Sequence, residues 1–428
     1  MIRILNTAEA SEAEIFDRGE QSASAETEAA VRAILEDVRA NGDEAVRRYT
    51  EKFDGAAPER FRVTEEEIDE AFAAADPFFL ESLRKAAANI SAFHEKQKRE
   101  GFRFEAGDGI TLGQRVMALD TVGLYVPGGT ARYPSTVLMN AIPAKIAGVR
   151  RILMATPCGR DGKVPGDILA AARVAGVTDV FKMGGAQAVA AFAYGTQSVP
   201  RVDKIVGPGN VFVATAKRMV FGQVDIDMIA GPSEILIVAD RHAVPAWLAA
   251  DMLSQAEHDR MATAVLVCDS RELAEATVEE IEKQLRKLPR EDIARPSIEN
   301  NGKIIVAEDL MEGVAIANRL AAEHLELCVE DPFAMLEHVR NAGSVFLGYS
   351  CPEALGDYWA GPNHTLPTSG TARFSSPLSV DEFVKRSSFI CYSREALGRV
   401  RDNISALAKH EGLEGHSRSV QIRFEEEP

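Results

Sequence analysis

Four short stretches carry residue types suited to chemistry at or beside a metal. In "LSQAEHDR", residues 253–260, Gln255 and His258 stand three apart, which on a helix places them on one face. An amide oxygen and an imidazole nitrogen suit a borderline metal such as zinc, although Gln is an uncommon zinc ligand. The same spacing also suits an ordinary polar helix face. In "RLAAEHLELCVEDP", residues 319–332, Glu323 and His324 are adjacent in a stretch expected to be helical. An imidazole titrating near neutrality can take a proton from an alcohol, and a carboxylate can activate water. The alternative is a His324 hydrogen-bonded within a core. "EALGDYWAGPNHTLPTSGTARFSS", residues 353–376, is dense in turn-forming residues and holds Asp357, Tyr358, Trp359 and His364. Such loops often carry functional groups, while the two aromatics are expected to anchor the loop by packing. "HEGLEGHSRS", residues 410–419, contains Glu411 and His416 and reads either as a solvated tail or as a donor of ligands to a site built elsewhere. Gln255, His258, Asp357 and His416 together form an N/O set without thiolate, which would suit zinc with room left for a substrate.

These residues need a scaffold, and the chain supplies two textures. Up to about residue 120 it reads as helical: Val31, Ile34, Leu35 and Val38 share one face, Gly42 is a natural stop, and Thr64 with Glu67 forms a capping box. Thereafter short apolar runs end in Gly or Pro ("VGLYVPGG", "RRILMATP", "DVFKMGG", "DKIVGPGN", "ILIVAD"), with Ala-rich helical stretches between them. That alternation predicts an α/β protein with parallel, doubly wound sheets. "AGVRRILMATP" and "AGVTDVFKMGG" echo one another at a spacing close to one βαβ unit. A second such rhythm runs through "TAVLVCDS", "GKIIVAED" and "AGSVFLGY", and beyond residue 375 the pattern returns to helices behind a second capping box, Ser379 and Glu382.

Three glycine-rich loops follow predicted strands: residues 125–135, 183–191 and 207–217. Each could bring backbone amides to a pyrophosphate at a helix start. None is a full dinucleotide fingerprint, since Phe212 stands where the third glycine after Gly207 and Gly209 belongs, and each alone is equally an ordinary tight turn.

Composition narrows the class. The net charge of −17 argues against a general nucleic-acid binder. Five scattered cysteines without a CxxC pair suggest neither a disulfide framework nor a thiolate zinc site. No apolar run reaches membrane-spanning length, and the acidic start lacks a signal-peptide core, so a cytoplasmic protein is expected.

The ordered series "YVPGG", "MGGAQA", "GPGN", "AGPSE", "SQAEH", "EHLEL", "AGSVFLG", "ALGDYWAGPNHTLPTSGTARFSS" and "EGLEGHSRSV" strongly resembles histidinol dehydrogenase from about residue 20 to the end. The resemblance implies oxidation of L-histidinol to L-histidine through an enzyme-held aldehyde, with zinc and two successive NAD as cofactors. By resemblance, Gln255, His258, Asp357 and His416 hold zinc, and Glu323 and His324 are the acid–base pair. Ser233, His364 and Glu411, with His324 and the metal ligands, contact substrate; Tyr125, Gln187 and Asn210 contact NAD. A homodimer is implied, in which the C-terminal arm brings Glu411 and His416 to the partner's site. One departure is Ala322, where the family usually has proline. We expect two interleaved Rossmann-like parallel-sheet domains with helical extensions. Residues 1–20 would be an N-terminal helical arm and 21–121 with 236–375 a discontinuous first domain. Residues 122–235 would form the NAD-binding domain and 376–428 a dimerisation arm. The competing readings are a related zinc- and NAD-dependent dehydrogenase of another polyol, such as a sulfonated propanediol, and a zinc hydrolase.

Overall fold

The computed structural model describes residues 2–17, 24–55, 58–128 and 132–425. They fall into a large unit, residues 1–97 with 119–383, and a small one, residues 98–118 with 384–428.

The large unit holds two all-parallel sheets. One has six strands in the order Arg3–Asn6, Lys303–Val306, Thr263–Cys268, Glu234–Ala239, His324–Cys328, Ser344–Leu347. The other has five, ordered Asp179–Lys182, Arg151–Thr156, Thr121–Tyr125, Lys204–Val206, Asp225–Ile226. In each, the chain builds outward from a central strand and then returns to its other side, so strand direction of travel reverses next to Glu234–Ala239 and next to Thr121–Tyr125. Central strands such as "EILIVA" are buried along their whole length, because helices cover both faces and leave no polar side for alternation. The two echoing segments are neighbouring strands joined through the helix Gly166–Ala175, as a βαβ unit requires.

Helix Ala25–Asn41 buries Val31, Ile34, Leu35 and Val38 and stops at Gly42, and Thr64 with Glu67 caps Glu65–Ala74, both as the sequence indicates. What these helices pack on differs from the expected grouping. Val31 and Val38 join a core with Phe181 and Phe192, while Ile68, Leu83 and Ile90 join one with Leu124 and Ile152. The helices Ala25–Asn41, Glu65–Ala74 and Pro77–Glu95 therefore cover the five-stranded sheet, not the six-stranded one. Nor is the N-terminus wholly helical: Arg3–Asn6 is the edge strand beside Lys303–Val306, followed by a short helix, Glu12–Phe16. An amphipathic stripe specifies that a helix packs, but not against which sheet.

The small unit is an antiparallel sheet in the order Val384–Tyr392, Ile110–Ala118, Phe102–Gly107, with helices Arg394–His410 and Glu414–Gln421. The expected helix after residue 375 is only a 3-10 turn, Val380–Phe383, followed by a strand. Ser379 Oγ accepts from Asp381 N–H at 3.2 Å, but Glu382 forms an ion pair with Lys204 instead of closing a capping box.

Candidate active site

Glu323 and His324 are not helical. The helix Leu310–Leu320 ends where Ala321 turns left-handed at φ 48°, and His324 opens a buried strand. "HLELC" alternates Leu325 and Leu327 on one face with His324, Glu326 and Cys328 on the other and lies between two parallel neighbours, and that tertiary pairing overrides the local helical pattern. Both residues are fastened to Glu234 on the central strand. Glu323 Oε2 accepts from its N–H at 2.9 Å, and His324 Nδ1 lies 3.0 Å from its carbonyl oxygen. A carbonyl only accepts, so Nδ1 carries the proton and Nε2 is the free basic nitrogen of the neutral ring. Nε2 is buried without a hydrogen-bond partner among the described residues. It stands 3.7 Å from Asp357 Oδ1 and 3.9 Å from Glu353 Oε1.

Ligand atoms of His258, Glu353 and Asp357 all lie within 4.8 Å of one another. Gln255, three residues before His258, is wholly buried, with neither amide atom hydrogen-bonded among the described residues. It sits in the last turn of the helix Pro245–Ala256, and His258 follows just past the end, where its N–H donates to Gln255 O at 3.2 Å. Glu353 and Asp357 are four apart on the short helix Glu353–Tyr358 and so share a face. Sequence reasoning missed Glu353, although that spacing from Asp357 was the available signal. Ser254 Oγ donates to Glu353 Oε2 at 2.7 Å, and Glu353 N–H donates to buried Glu326 at 2.8 Å, which fixes the carboxylate's direction.

The charges answer one another. Burial pushes the Glu323 carboxyl up to about 8, against the pull of His324. Burial alone would push His324 down, but Glu323, Asp357 and Glu353 outweigh it and raise the imidazole to about 10. Asp357 is likewise disfavoured by burial, yet His324, His364 and His258 hold it at about 2. Glu353, Asp357 and His258 thus stand together beside His324 as a nitrogen and oxygen donor set of the kind a cation takes. His364 joins it from the loop: Nδ1 lies 3.0 Å from Asp357 O and Nε2 3.3 Å from Thr136 Oγ1. Ser233 immediately precedes Glu234, and its carbonyl accepts from Thr263 N–H at 3.0 Å. Glu411 and His416 belong to the small unit and are exposed there, at the end of Arg394–His410 and in Glu414–Gln421.

Tyr125, Met183 and Gly207 open the glycine loops at the C-terminal ends of three strands of the five-stranded sheet, the end at which such folds take their ligands. On one side Tyr125 ends its strand, its hydroxyl accepting from Gly185 N–H at 3.0 Å. Opposite it, Gly207 has φ 108°, and a Cβ there would lie 2.2 Å from Tyr125 O. Its turn is clamped from below: Asp227 accepts from Gly207 N–H at 2.7 Å, and Lys217 donates to Gly207 O at 2.8 Å while pairing with Asp227. Asn210 caps the next helix, accepting from Phe212 and Val213 N–H at 3.1 and 3.2 Å. Gln187 is fully buried, with neither amide atom partnered among the described residues.

A family model described as histidinol dehydrogenase matches residues 17–424. The chain belongs to the histidinol dehydrogenase family. It is 54% identical over 404 residues to histidinol dehydrogenase from Listeria monocytogenes, covering 94% of each chain. Against that from Bacillus subtilis (strain 168) it is 53% identical, covering 92% of each. A crystal structure of histidinol dehydrogenase from Elizabethkingia anophelis superposes with a TM-score of 0.92 at 35% identity, over 99% of this chain and 98% of that one. Family membership makes the chain an oxidoreductase and agrees with the two-sheet α/β fold read from the sequence. No described helix is long and apolar enough to cross a membrane.

Proposed function

We propose that this protein oxidises L-histidinol to L-histidine by way of the aldehyde, using zinc and two NAD in turn, in histidine biosynthesis. The observation that carries the reading is the buried, unpartnered Nε2 of His324 facing His258, Glu353 and Asp357, with Glu323 fixed beside it. The donors suit zinc, being nitrogen and oxygen only, and Gln255 offers a buried amide oxygen with no partner among the described residues. The strand ends of the five-stranded sheet suit a dinucleotide, since Gly207 allows close backbone approach and the buried Gln187 amide has no partner among the described residues. When bound, zinc supplies an anchor for the substrate's amino and imidazole nitrogens and NAD supplies the hydride acceptor. We assign zinc to Gln255, His258, Asp357 and His416, with Glu353 as a further donor, and NAD to Tyr125, Gln187 and Asn210. Ser233, His364 and Glu411 would hold the substrate, Glu411 and His416 reaching it across a homodimer through the arm 376–428, in the cytoplasm.

The chain's residues then divide the proton work. In the first oxidation His324 Nε2 takes the alcohol proton, its Nδ1–H held by Glu234 O so that the basic nitrogen stays aimed at the site. A dication among Glu353 and Asp357 would offset the negative charge that keeps His324 protonated, freeing Nε2 to act as a base. In the second oxidation Glu323 takes a proton from water adding to the aldehyde. Its burial makes it a stronger base than an exposed carboxylate once ionised. The test is NADH absorbance on mixing zinc-loaded protein, NAD and histidinol, with a sulfonated propanediol as rival substrate. Two NADH per histidinol are expected; turnover of the rival alone, or hydrolysis without NADH, would reject the proposal.

A further inference from the structure

Helix Pro134–Ala147, which packs on the five-stranded sheet, contains a proline in its interior, Pro143. Proline has no N–H, so the carbonyl four residues back, Met139 O, lacks its helical donor. Met139 is fully buried, and a buried carbonyl left without a donor would weigh against the fold. The donor comes from the segment that follows the six-stranded sheet. Asn363 Nδ2 donates to Met139 O at 2.6 Å.

Asn363 immediately precedes His364 and is itself buried. Its Oδ1 accepts from Thr365 N–H at 2.9 Å, and its Nδ2 also lies 3.4 Å from His94 Nε2. The same helix continues the contact on either side. Thr365 Oγ1 donates to Asn140 Oδ1 at 3.0 Å, and Thr136 Oγ1 lies 3.3 Å from His364 Nε2. Residues 136, 139 and 140 are spaced i, i+3, i+4, so one helix face meets residues 363–365. Gly361 lets the chain lie close to the neighbouring helix Pro77–Glu95: its φ is 113°, and a Cβ there would stand 2.7 Å from Asn89 O. His364 keeps its Nδ1–H on Asp357 O, which leaves Nε2 as the acceptor of the neutral ring. The side chain of Asn363 therefore decides where that acceptor sits.

We propose that Asn363 is the positioning residue for His364, anchored on the carbonyl that Pro143 leaves free, and that it sets the affinity for histidinol but not for zinc or NAD. The inference rests on the histidinol reading above. An Nε2 acceptor suits an N–H of the substrate, from its imidazole or its ammonium group. Displacing a positioned group by about 1 Å can cost on the order of 100-fold, so one bond behind His364 has leverage on binding.

The test compares the zinc-loaded wild type with Asn363→Asp, which keeps the size and the acceptor for Thr365 N–H but replaces the donor to Met139 O with a carboxylate oxygen. Histidinol binding without NAD, measured by calorimetry, should weaken about tenfold or more. NAD binding, and zinc affinity from chelator competition, should stay within about twofold of wild type. A folded variant that binds histidinol as wild type does overturns the proposal, even if its melting temperature falls. Equal losses for all three ligands also overturn it, since they would mark a general loosening of the fold. If Asn363→Asp does not fold, Pro143→Ala takes its place. The N–H restored at position 143 competes with Asn363 for Met139 O, and histidinol binding should weaken about threefold or more with zinc and NAD affinity unchanged. Unchanged histidinol binding in that variant overturns the proposal. Wild-type protein that binds no histidinol rejects the substrate reading itself, a result separate from any of these.

Discussion

The buried Lys217–Asp227 pair allows a prediction whose size follows from its surroundings. The side chains are 2% and 1% exposed, so neither can recruit water if the other is lost. Asp227→Asn leaves the Lys217 ammonium buried without its counter-charge, and breaking a buried pair this way costs about 3–5 kcal/mol. Lys217→Met leaves Asp227 with the N–H groups of Gly207 and Met228 at 2.7 and 2.6 Å, so its loss should sit at the lower end of that range. Removing both charges together should cost less than removing Asp227 alone. What remains is the donor to Gly207 O, worth about 1 kcal/mol, plus imperfect packing of Met. Urea unfolding of the four proteins gives the cycle, and a coupling of at least about 2 kcal/mol is expected. The doubly substituted protein should also show a raised KM for NAD, because Gly207 loses half of its clamp, while binding of histidinol stays unaltered. Strictly additive losses, or single losses below about 1 kcal/mol, would refute the idea that the pair is mutually compensated and holds the turn.

Three further outcomes are expected. Glu323→Gln should slow oxidation of histidinaldehyde by about 10²–10⁴-fold while sparing alcohol oxidation more, measured with each substrate separately; equal losses would end the proposed division of labour. Glu353→Gln should lower zinc affinity about 10–100-fold in a competition titration with a chelator, since it removes a charged donor but keeps the bond to Ser254 within reach; unchanged affinity would exclude it from the metal group. Removing the residues after Lys409 should abolish histidinol oxidation with circular dichroism preserved, and a truncated protein that still turns over would make the segment an ordinary tail.

Much of the scaffold was legible because the signals were local. Fully apolar runs ending in Gly or Pro became parallel strands, and the stripe Val31, Ile34, Leu35, Val38 became a buried helix face. Where the sequence misled, a distant partner decided. "EHLEL" has a helical look on its own, but Ile235–Ala239 and Ser344–Leu347 on either side draw it into a sheet. Glu382 offered itself as a cap and was claimed by Lys204 instead. The helices before residue 97 carry no mark of which sheet they cover, since apolar stripes are interchangeable until shapes meet.

The site itself shows why its residue types were readable and its logic was not. Gln255, His258, His324, Asp357 and His364 stand out as chemistry-bearing residues in three short motifs, and His258, His324 and Asp357 bring those three segments together. The group that aims the base has no such signature: it is the backbone of Glu234, whose N–H holds Glu323 and whose carbonyl fixes the His324 tautomer. Any residue but proline at position 234 would supply those atoms, so side-chain patterns cannot point to it. The same strand end also places Ser233 one residue away. A shift of this strand's register by one residue would exchange N–H and carbonyl positions and turn the ring's free nitrogen away from Asp357. On the proposed role of His324, the six-stranded sheet would act through its register, and the substitutions most damaging to His324 outside the pocket should be those that disturb pairing at Ile235, not those that alter the side chain of residue 234.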